Sequence, residues 1–504
     1  MNDDSDKGVG CVTIGLPCGW ANTKLDDVAD ILDFERQPIN SSERNERISG
    51  KNNSELFAYY GATGQVGWID GYRTEGQRIL LGEDGAPFLD PSKDKAFLVN
   101  GRFWVNNHAH VLQGAAGLID NRFLCYQLNM VDYQPHVSGS TRLKLTNSAM
   151  KQILLLVAPA NEQTRIVEKI EELLSDLDTG VAELKAAQKK LVQYRQSLLK
   201  AAVEGALTAE WRTANQPKET GTQLLERILI ERRARWEVKQ LAKFKEQGKA
   251  PPKDWQAKYP EPVKPDTNDL PELPEGWVWA SIDQVAEVFL GKMLDKTKHT
   301  SGAKMPYLRN VNVRWGNIQT HDISEMFFEN DELDRYGLLA GDVLVCEGGE
   351  PGRAAICNKK HEILKYQKAL HRVRLFDLYE PELLVAFLEF SAKTGRLEKN
   401  FTGSTINHFT KESFLALQIP IAPLNEQREI VETLLSATNT IDEQKSALEV
   451  AFKQSAAQRK NILKTAFSGQ LVPQDPNDEP ASVLLERIRN ERQNNKIPIK
   501  RHRR

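Results

Sequence analysis

Pro159-Ala160-Asn161-Glu162-Gln163-Thr164-Arg165-Ile166 is answered further along the same chain by Pro423-Leu424-Asn425-Glu426-Gln427-Arg428-Glu429-Ile430. Each copy opens a long apolar series. The first runs through Ile166, Ile170, Leu173, Leu177, Val181, Leu184, Leu191 and Leu198, with Gln188 filling one seam place; the second runs through Ile430, Leu434, Ile441, Leu448, Phe452 and Ile462. Spacing by threes and fours predicts a coiled-coil stripe on a helix. Asn161 is placed to cap the start, Glu162 sits in the electropositive first turn, and Gly205 and Gly469 are natural stops. About 44 residues at ~1.5 Å each give a rod of about 65 Å. A lone rod would expose its stripe to water; two rods from one chain bury both by pairing antiparallel.

Working outward, the rest of the chain also repeats. Leu16-Pro17-x-Gly19-Trp20 returns as Leu273-Pro274-x-Gly276-Trp277, Gly139-Ser140-Thr141 as Gly403-Ser404-Thr405, and Leu224-Leu225-Glu226-Arg227-Ile228 as Leu484-Leu485-Glu486-Arg487-Ile488. The offset of about 260 residues is far beyond solenoid periods of roughly 20–50, so a whole domain is duplicated. A chain with two copies of one half can imitate a two-fold dimer and suits a target with two half-sites. The expected class is α+β: two mixed α/β domains separated by two long antiparallel coiled-coil helices. The divisions are residues 1–158 (first mixed domain), 159–236 (first rod and a charged helix), 237–272 (a charged, Pro-rich connector expected to be extended), 273–422 (second mixed domain) and 423–504 (second rod with a basic tail at Lys500–Arg504). Ile79-Leu80-Leu81, Phe97-Leu98-Val99, Met305–Leu308 and Asp342–Val345 read as strands.

The chain has 504 residues, 40% hydrophobic and 27% charged, which describes an ordinary soluble protein with room for several cores. No apolar run reaches the ~18 residues of a membrane span, and the polar N-terminus does not read as a signal peptide. Five unpaired-looking cysteines point to a reducing, cytoplasmic setting. A net charge of −2 argues against a non-specific nucleic-acid coat but not against a sequence reader whose partners neutralise phosphates.

Catalytic signatures are missing. There is no Gly-x-x-x-x-Gly-Lys-[Ser/Thr] loop, no Gly-x-Gly-x-x-Gly after a strand, and no Asn-Pro-Pro-[Tyr/Phe] of amino-directed DNA methyltransferases. His108 and His110, with Cys125 and His136 downstream, lack the spacing of a structural zinc site. The chain is therefore expected to carry no catalysis, metal or cofactor of its own.

What the two mixed domains offer instead is one framework with different polar heads. Glu83-Asp84-Gly85-Ala86-Pro87 aligns with Glu347-Gly348-Gly349-Glu350-Pro351, with Arg353 just beyond, and Asn107-His108-Ala109 aligns with Gln367-Lys368-Ala369, both expected on a strand. Glutamate can accept from cytosine, Asn or Gln can pair with adenine, and Lys or Arg suits guanine. The Gly-Ser-Thr turns add Ser140, Thr141 and Lys144 in one copy and Ser404, Thr405, Asn407 and His408 in the other, all able to bond phosphate or base edges. The alternative is structural: a tight turn capped by its glutamate for the loop, and a cap for the next strand or helix for the Gly-Ser-Thr turn.

The ordered set, present twice, resembles the specificity subunit of type I restriction–modification systems from about Leu16 onward. The resemblance implies that each mixed domain is a target recognition domain reading half of an asymmetric, bipartite DNA target, while the paired helices set the gap. It implies two modification subunits that methylate adenine with S-adenosylmethionine, and two restriction subunits that use ATP and Mg2+. The Asn161-Glu162-Gln163 and Asn425-Glu426-Gln427 turns, with the outer rod faces, are the candidate docking surface for modification subunits. Rival readings are a single-chain methyltransferase, a related system with fused methylation and cleavage subunits, and a coiled-coil adaptor that binds only protein.

Overall fold

Each half is closed by a two-stranded clasp. In the computed structural model, which describes residues 15–293, 302–403 and 407–494, Ala21–Lys24 pairs antiparallel with Leu154–Val157 in the register Ala21↔Val157. Val278–Ser281 pairs the same way with Gln418–Ile421, in the register Val278↔Ile421. The clasp brings the start of each mixed domain against the strand that feeds its rod. The described residues fall into two units, within Met1–Ala186 with Leu448–Arg504 and within Ala187–Ala447.

Both mixed domains hold the same four-stranded antiparallel sheet. In the first, β1 (Ala29–Ile31), β2 (Arg78–Gly82), β3 (Ala96–Val99) and β4 (Ala109–Gly114) lie in the order β1-β4-β2-β3. In the second, β5 (Ala286–Leu290), β6 (Val343–Cys346), β7 (Ala354–Ile356) and β8 (Leu370–Leu375) lie in the order β5-β8-β6-β7. The runs Ile79–Leu81 and Val343–Val345 are buried throughout, as continuous apolar strands covered on both faces should be. A second small sheet flanks each: four strands around Phe57–Gly61 and Arg102–Val105 in the first domain, three around Ala303–Leu308 in the second. The expected strands are thus present.

The rods are as long as the stripe implies. α1 spans Ala160–Val203 and α3 spans Leu424–Phe467, 44 residues each. Asn161 and Asn425 lie inside the first turn, so Asn161 does not cap α1. In the first unit Ile166, Val167, Ile170 and Leu174 of α1 share a core with Ile462, Ala466 and Phe467 of α3. In the second unit Leu198, Leu199 and Ala202 of α1 pack with Ile430, Leu434 and Ile441 of α3. Within each unit the start of one rod therefore meets the end of the other, which is antiparallel pairing. Leu173, Leu177, Val181, Leu184 and Leu191 are half-buried, as expected where a stripe has one partner helix.

The repeated motifs fit one another across the copies. α2 (Gly221–Glu246) follows the first rod, yet Leu224, Leu225 and Ile228 are buried against the second domain. α4 (Ala481–Asn494) follows the second rod, and Leu484, Leu485 and Ile488 are buried against the first domain. The first amide of each helix is held by the glycine of a Leu-Pro-x-Gly-Trp motif: Gly221 N donates to Gly276 O (2.6 Å) and Ala481 N to Gly19 O (2.8 Å). Gly205 and Gly469, both at positive φ, close the rods against Pro274 and Pro17; a Cβ there would stand 2.6 and 2.5 Å from the proline ring.

Two expectations need correction. α2 runs without a break through the expected boundary at 236/237. The connector is not simply extended, because Trp255 stacks on Trp236 (5.8 Å) and Tyr259 meets Trp236 edge-on (5.4 Å). Arg232 also donates to Pro260 O (2.9 Å), which fastens the connector along α2. Burying aromatic area offsets the entropy of ordering that segment. The basic tail at 500–504 lies outside the described residues.

Candidate nucleic-acid interface

The two recognition frameworks share a set of backbone hydrogen bonds. Glu83 N donates to His108 O (2.8 Å) and Leu145 N to Glu83 O (2.7 Å); Glu347 N donates to Ala369 O (2.9 Å) and Phe409 N to Glu347 O (2.7 Å). The Gly-Ser-Thr turns close on mutual backbone pairs, Ser138 with Lys144 and Thr402 with His408. Gly139 and Gly403 sit at φ near +104° and +106°, which favours glycine in both turns. In each copy the acidic loop, the turn before β4 or β8 and the segment after Gly-Ser-Thr thus meet at one point.

These bonds correct the alignment of the heads. Asn107-His108 and Lys368-Ala369 are the turns preceding β4 and β8, not strand residues, and they correspond to one another. The pairing read from sequence, Asn107-His108 with Gln367-Lys368, is out of register by one. A local match cannot show this shift; only the ladder to β2 and β6 fixes it, through Gly82↔Ala109 and Cys346↔Leu370.

In the first domain the point of convergence is densely charged. The Glu83 carboxylate is gripped by Arg36 and also meets Lys144 Nζ at 3.0 Å. Burial alone would raise its pKa, but the bonds from Arg36 and Lys144 and the charge of His110 hold it below the ordinary carboxylate range. Asp84 meets His108 Nδ1 at 2.5 Å and Arg142 at 3.1 Å. Behind them the buried His110 reaches Asp33 (2.8 Å). Burial opposes ionisation of Asp33, yet the hydrogen bond and charge of His110, the Val111 amide and Arg36 prevail and lower its pKa. Asn107, Ser140, Thr141 and Lys144 are exposed and His108 is half-buried.

In the second domain the same place carries different groups. Gly348 stands where Asp84 does, and its carbonyl accepts from Asn310 Nδ2 (3.2 Å). Lys368, Asn407 and His408 are exposed, while Glu347 and Gln367 are half-buried. Ser404 and Thr405 lie outside the described residues.

Several candidates turn out to build the fold. Glu83 is committed to two cations, so it braces the loop and is not a free acceptor for a base. Arg353 is 8% exposed; its terminal nitrogens donate to Asn310 O (2.8 Å) and to Glu350 (2.5 Å), which leaves it supporting the loop from inside. Glu162, Gln163, Glu426 and Gln427 are buried and are not a docking surface. Gln163 donates to Ala158 O (2.8 Å) and accepts from Asp120 N (3.2 Å); Gln427 donates to Ala422 O (2.8 Å) and accepts from Glu380 N (3.1 Å). Each glutamine thus ties the rod's first turn to the cap of a domain helix, Asn121–Leu128 or Pro381–Lys393. Glu426 accepts from Thr208 (2.7 Å), Arg212 (2.8 Å) and Trp277 (3.0 Å). Of the two motifs only Asn161 and Asn425 reach the surface, and Asn161 donates to Asp478 (3.2 Å).

Sequence reasoning missed Arg36, Asp33, Asp84, Arg142 and Asn310. Asp84 and Arg142 sit inside or beside quoted motifs and differ between the copies, which is the signal that could have found them. Arg36 and Asn310 belong to or adjoin short 3-10 turns with no period to mark them. Among the described residues no group of His, Cys, Asp and Glu is arranged to hold a metal, and no helix is long and apolar enough to cross a membrane.

Comparison with known proteins agrees with this architecture. A family model described as the type I restriction modification DNA specificity domain matches twice, at residues 17–189 and 274–450. A putative type I restriction enzyme specificity subunit of Haemophilus influenzae is 36% identical over 149 residues, covering 30% of this chain and 36% of that relative. The EcoKI specificity subunit of Escherichia coli K12 is 26% identical over 70% of this chain and 67% of its own length. The EcoDI specificity subunit of Escherichia coli is 20% identical over 95% of this chain and 96% of its own. A solved structure from work on complex assembly and conformational transition of the type I R-M system shares the fold, with a TM-score of 0.59 at 18% identity, covering 90% of this chain and 99% of that one. With both recognition domains and the greater part of both rods inside the matched segments, the chain belongs to the family of type I restriction–modification specificity subunits and is a DNA sequence-recognition subunit.

Proposed function

We propose that each recognition domain reads one half of an asymmetric, bipartite DNA target and that the paired rods fix the unread gap between the halves. The observation that carries this reading is the pair of matching backbone frameworks bearing different heads: Asp84, His108, Arg142 and Lys144 in one, Gly348, Ala369 and His408 at three of those places in the other. One scaffold with two sets of side chains suits two unlike half-sites, because base readout depends on which donors and acceptors reach the groove.

In this reading the chain works without catalysis or cofactor of its own, in the cytoplasm. Two modification subunits bring S-adenosylmethionine and methylate a flipped adenine; two restriction subunits bring ATP and Mg2+ for translocation and cleavage. The exposed faces of the rods, together with Asn161 and Asn425, are the surface left for modification subunits. The test is a genome-wide map of methylated adenines in cells expressing this chain with its modification subunit. A bipartite motif with a fixed gap supports the proposal; methylation without a motif, or none above that of cells lacking the chain, contradicts it.

A further inference from the structure

We propose that Arg142 is the guanine-reading side chain of the first recognition domain and that Asp84 is the positioning residue that aims it. The inference rests on the reading of each domain as the reader of one half-site. Arg142 directly follows Gly139-Ser140-Thr141. A terminal nitrogen donates to Asp84 Oδ1 at 3.1 Å, and the same oxygen meets His108 Nδ1 at 2.5 Å. The guanidinium lies against Gly85, which is at φ +69°; a Cβ there would stand 3.2 Å from Arg142 Nε and 3.4 Å from a terminal nitrogen. The glycine keeps open the place the guanidinium occupies. Held this way, the Arg142 side chain is still 59% exposed. A guanidinium is a rigid fork of five donors. The bond to Asp84 and the packing on Gly85 restrict how it can turn, and the other donors remain for a ligand with two adjacent acceptors. In the major groove that pattern is O6 and N7 of guanine.

The second domain has replaced the whole set, which is what a local specificity determinant should show. Gly348 stands at the place of Asp84, Ala369 at that of His108 and His408 at that of Lys144. In sequence Ile406 follows Gly403-Ser404-Thr405 where Arg142 follows the first turn. Beside Gly349 lies the neutral amide of Asn310, 2.7 Å from where a Cβ would be, in place of a guanidinium. Positions that frame the loop agree in both copies; those that would present charge to a base change together.

The test compares the full chain with Arg142→Gln, Arg142→Lys and Asp84→Asn, each bound to its modification subunit, selecting from a pool of DNA duplexes of randomised sequence. The wild-type complex should enrich a guanine at a fixed position of one half-site. Arg142→Gln should lower that preference roughly 10- to 100-fold, and Arg142→Lys and Asp84→Asn each by a smaller factor, because an ammonium still reaches guanine but lacks the fork. The other half-site should keep its motif in every variant, which also reports that the chain is folded. An unchanged first half-site with uniformly weaker binding and a salt dependence shallower by about one ion makes Arg142 a phosphate contact and overturns the proposal. So does a first half-site without guanine, or a variant that degrades both halves. A wild-type complex that enriches no motif instead overturns the half-site reading itself.

Discussion

His110 of the first recognition domain and His371 of the second hold the same place in the same sheet, and each ties β4 or β8 to the segment after the Gly-Ser-Thr turn: His110 Nε2 bonds Leu145 O at 3.0 Å, and His371 Nε2 bonds Phe409 O at 2.7 Å. Their other nitrogens differ. His110 Nδ1 meets Asp33, whereas His371 Nδ1 is buried without a partner and the ring stacks on Phe414 with 8° between planes. One framework position therefore carries two electrostatic solutions.

Burial presses the His371 pKa below its ordinary 6.5, helped by Lys411 and opposed by the Phe409 carbonyl and Glu412. The folded domain holds the neutral ring, so stability is full above the unfolded value and is lost as pH falls below about 6.5. Burial, with Lys360 nearby, shifts His361 in the same direction. The lowered pKa of Asp33 contributes stability that is lost only as pH falls below about 3.8. As pH falls below about 6.5 the second domain should lose stability, by at most about 1.4 kcal/mol per pH unit for His371, until its folded-state pKa is passed. Hydrogen exchange corrected for intrinsic rates checks it: amides of β8 should lose protection in that range, and His371→Phe should flatten the trend.

The two buried rod glutamates should behave oppositely. Glu426, 1% exposed, satisfies Thr208, Arg212 and Trp277, so Glu426→Ala should cost about 3–5 kcal/mol by stranding buried donors. Glu162 is equally buried and its Oε1 has no hydrogen-bond partner; burial, with Asp478 nearby, raises its pKa against the opposing pull of Trp20, Arg165 and Gln474. A raised carboxylate pKa means ionisation costs stability as pH rises past the unfolded value. Glu162→Gln should therefore be neutral or stabilising by up to about 1 kcal/mol at pH 7. Denaturant melts of the two variants distinguish these outcomes.

The exchange of helices between copies predicts where core damage appears. Leu484→Ala should destabilise the first recognition domain and Leu224→Ala the second, each by about 2–5 kcal/mol, since both side chains are fully enclosed. Mapping protection by hydrogen exchange should show each loss in the domain opposite in sequence to the rod that precedes the helix. Losses confined to the preceding domain would contradict this packing.

The corrected register makes Asn107 and Lys368 counterparts, both exposed in the turns before β4 and β8. Asn107→Ala should alter only one half of the methylated motif and Lys368→Ala only the other. A base preference lost by about tenfold in a single half is the expected size for one direct contact. Sequencing of methylated adenines reads both halves at once.

The rods, the duplication and most sheet strands were legible because each is written as a period or an ordered motif. Ile166, Ile170 and Ile462 declare a helix face; Ile79–Leu81 declares a buried strand. The Asn-Glu-Gln turns were visible but misread: polar residues at a helix start look like surface, while Gln163 and Gln427 are enclosed because their amides replace backbone partners between two helices. The candidate site was legible only in part. Asn107, His108 and Lys144 stood out by differing between copies, but the Asp84–Arg142 pair joins residues far apart in sequence, and Arg36 reaches Glu83 from a 3-10 turn that no pattern announces. The one-residue register shift is likewise invisible without the hydrogen-bond ladder.

If the two domains read separate half-sites while the rods set the gap, each part should be exchangeable alone. The decisive measurement is the methylated motif produced by the full chain after residues 273–422 are exchanged for the corresponding domain of another family member, with the rods kept. One half-site should be replaced, the other unchanged and the gap the same length. A change in both half-sites, or a new gap with the rods intact, would contradict that reading.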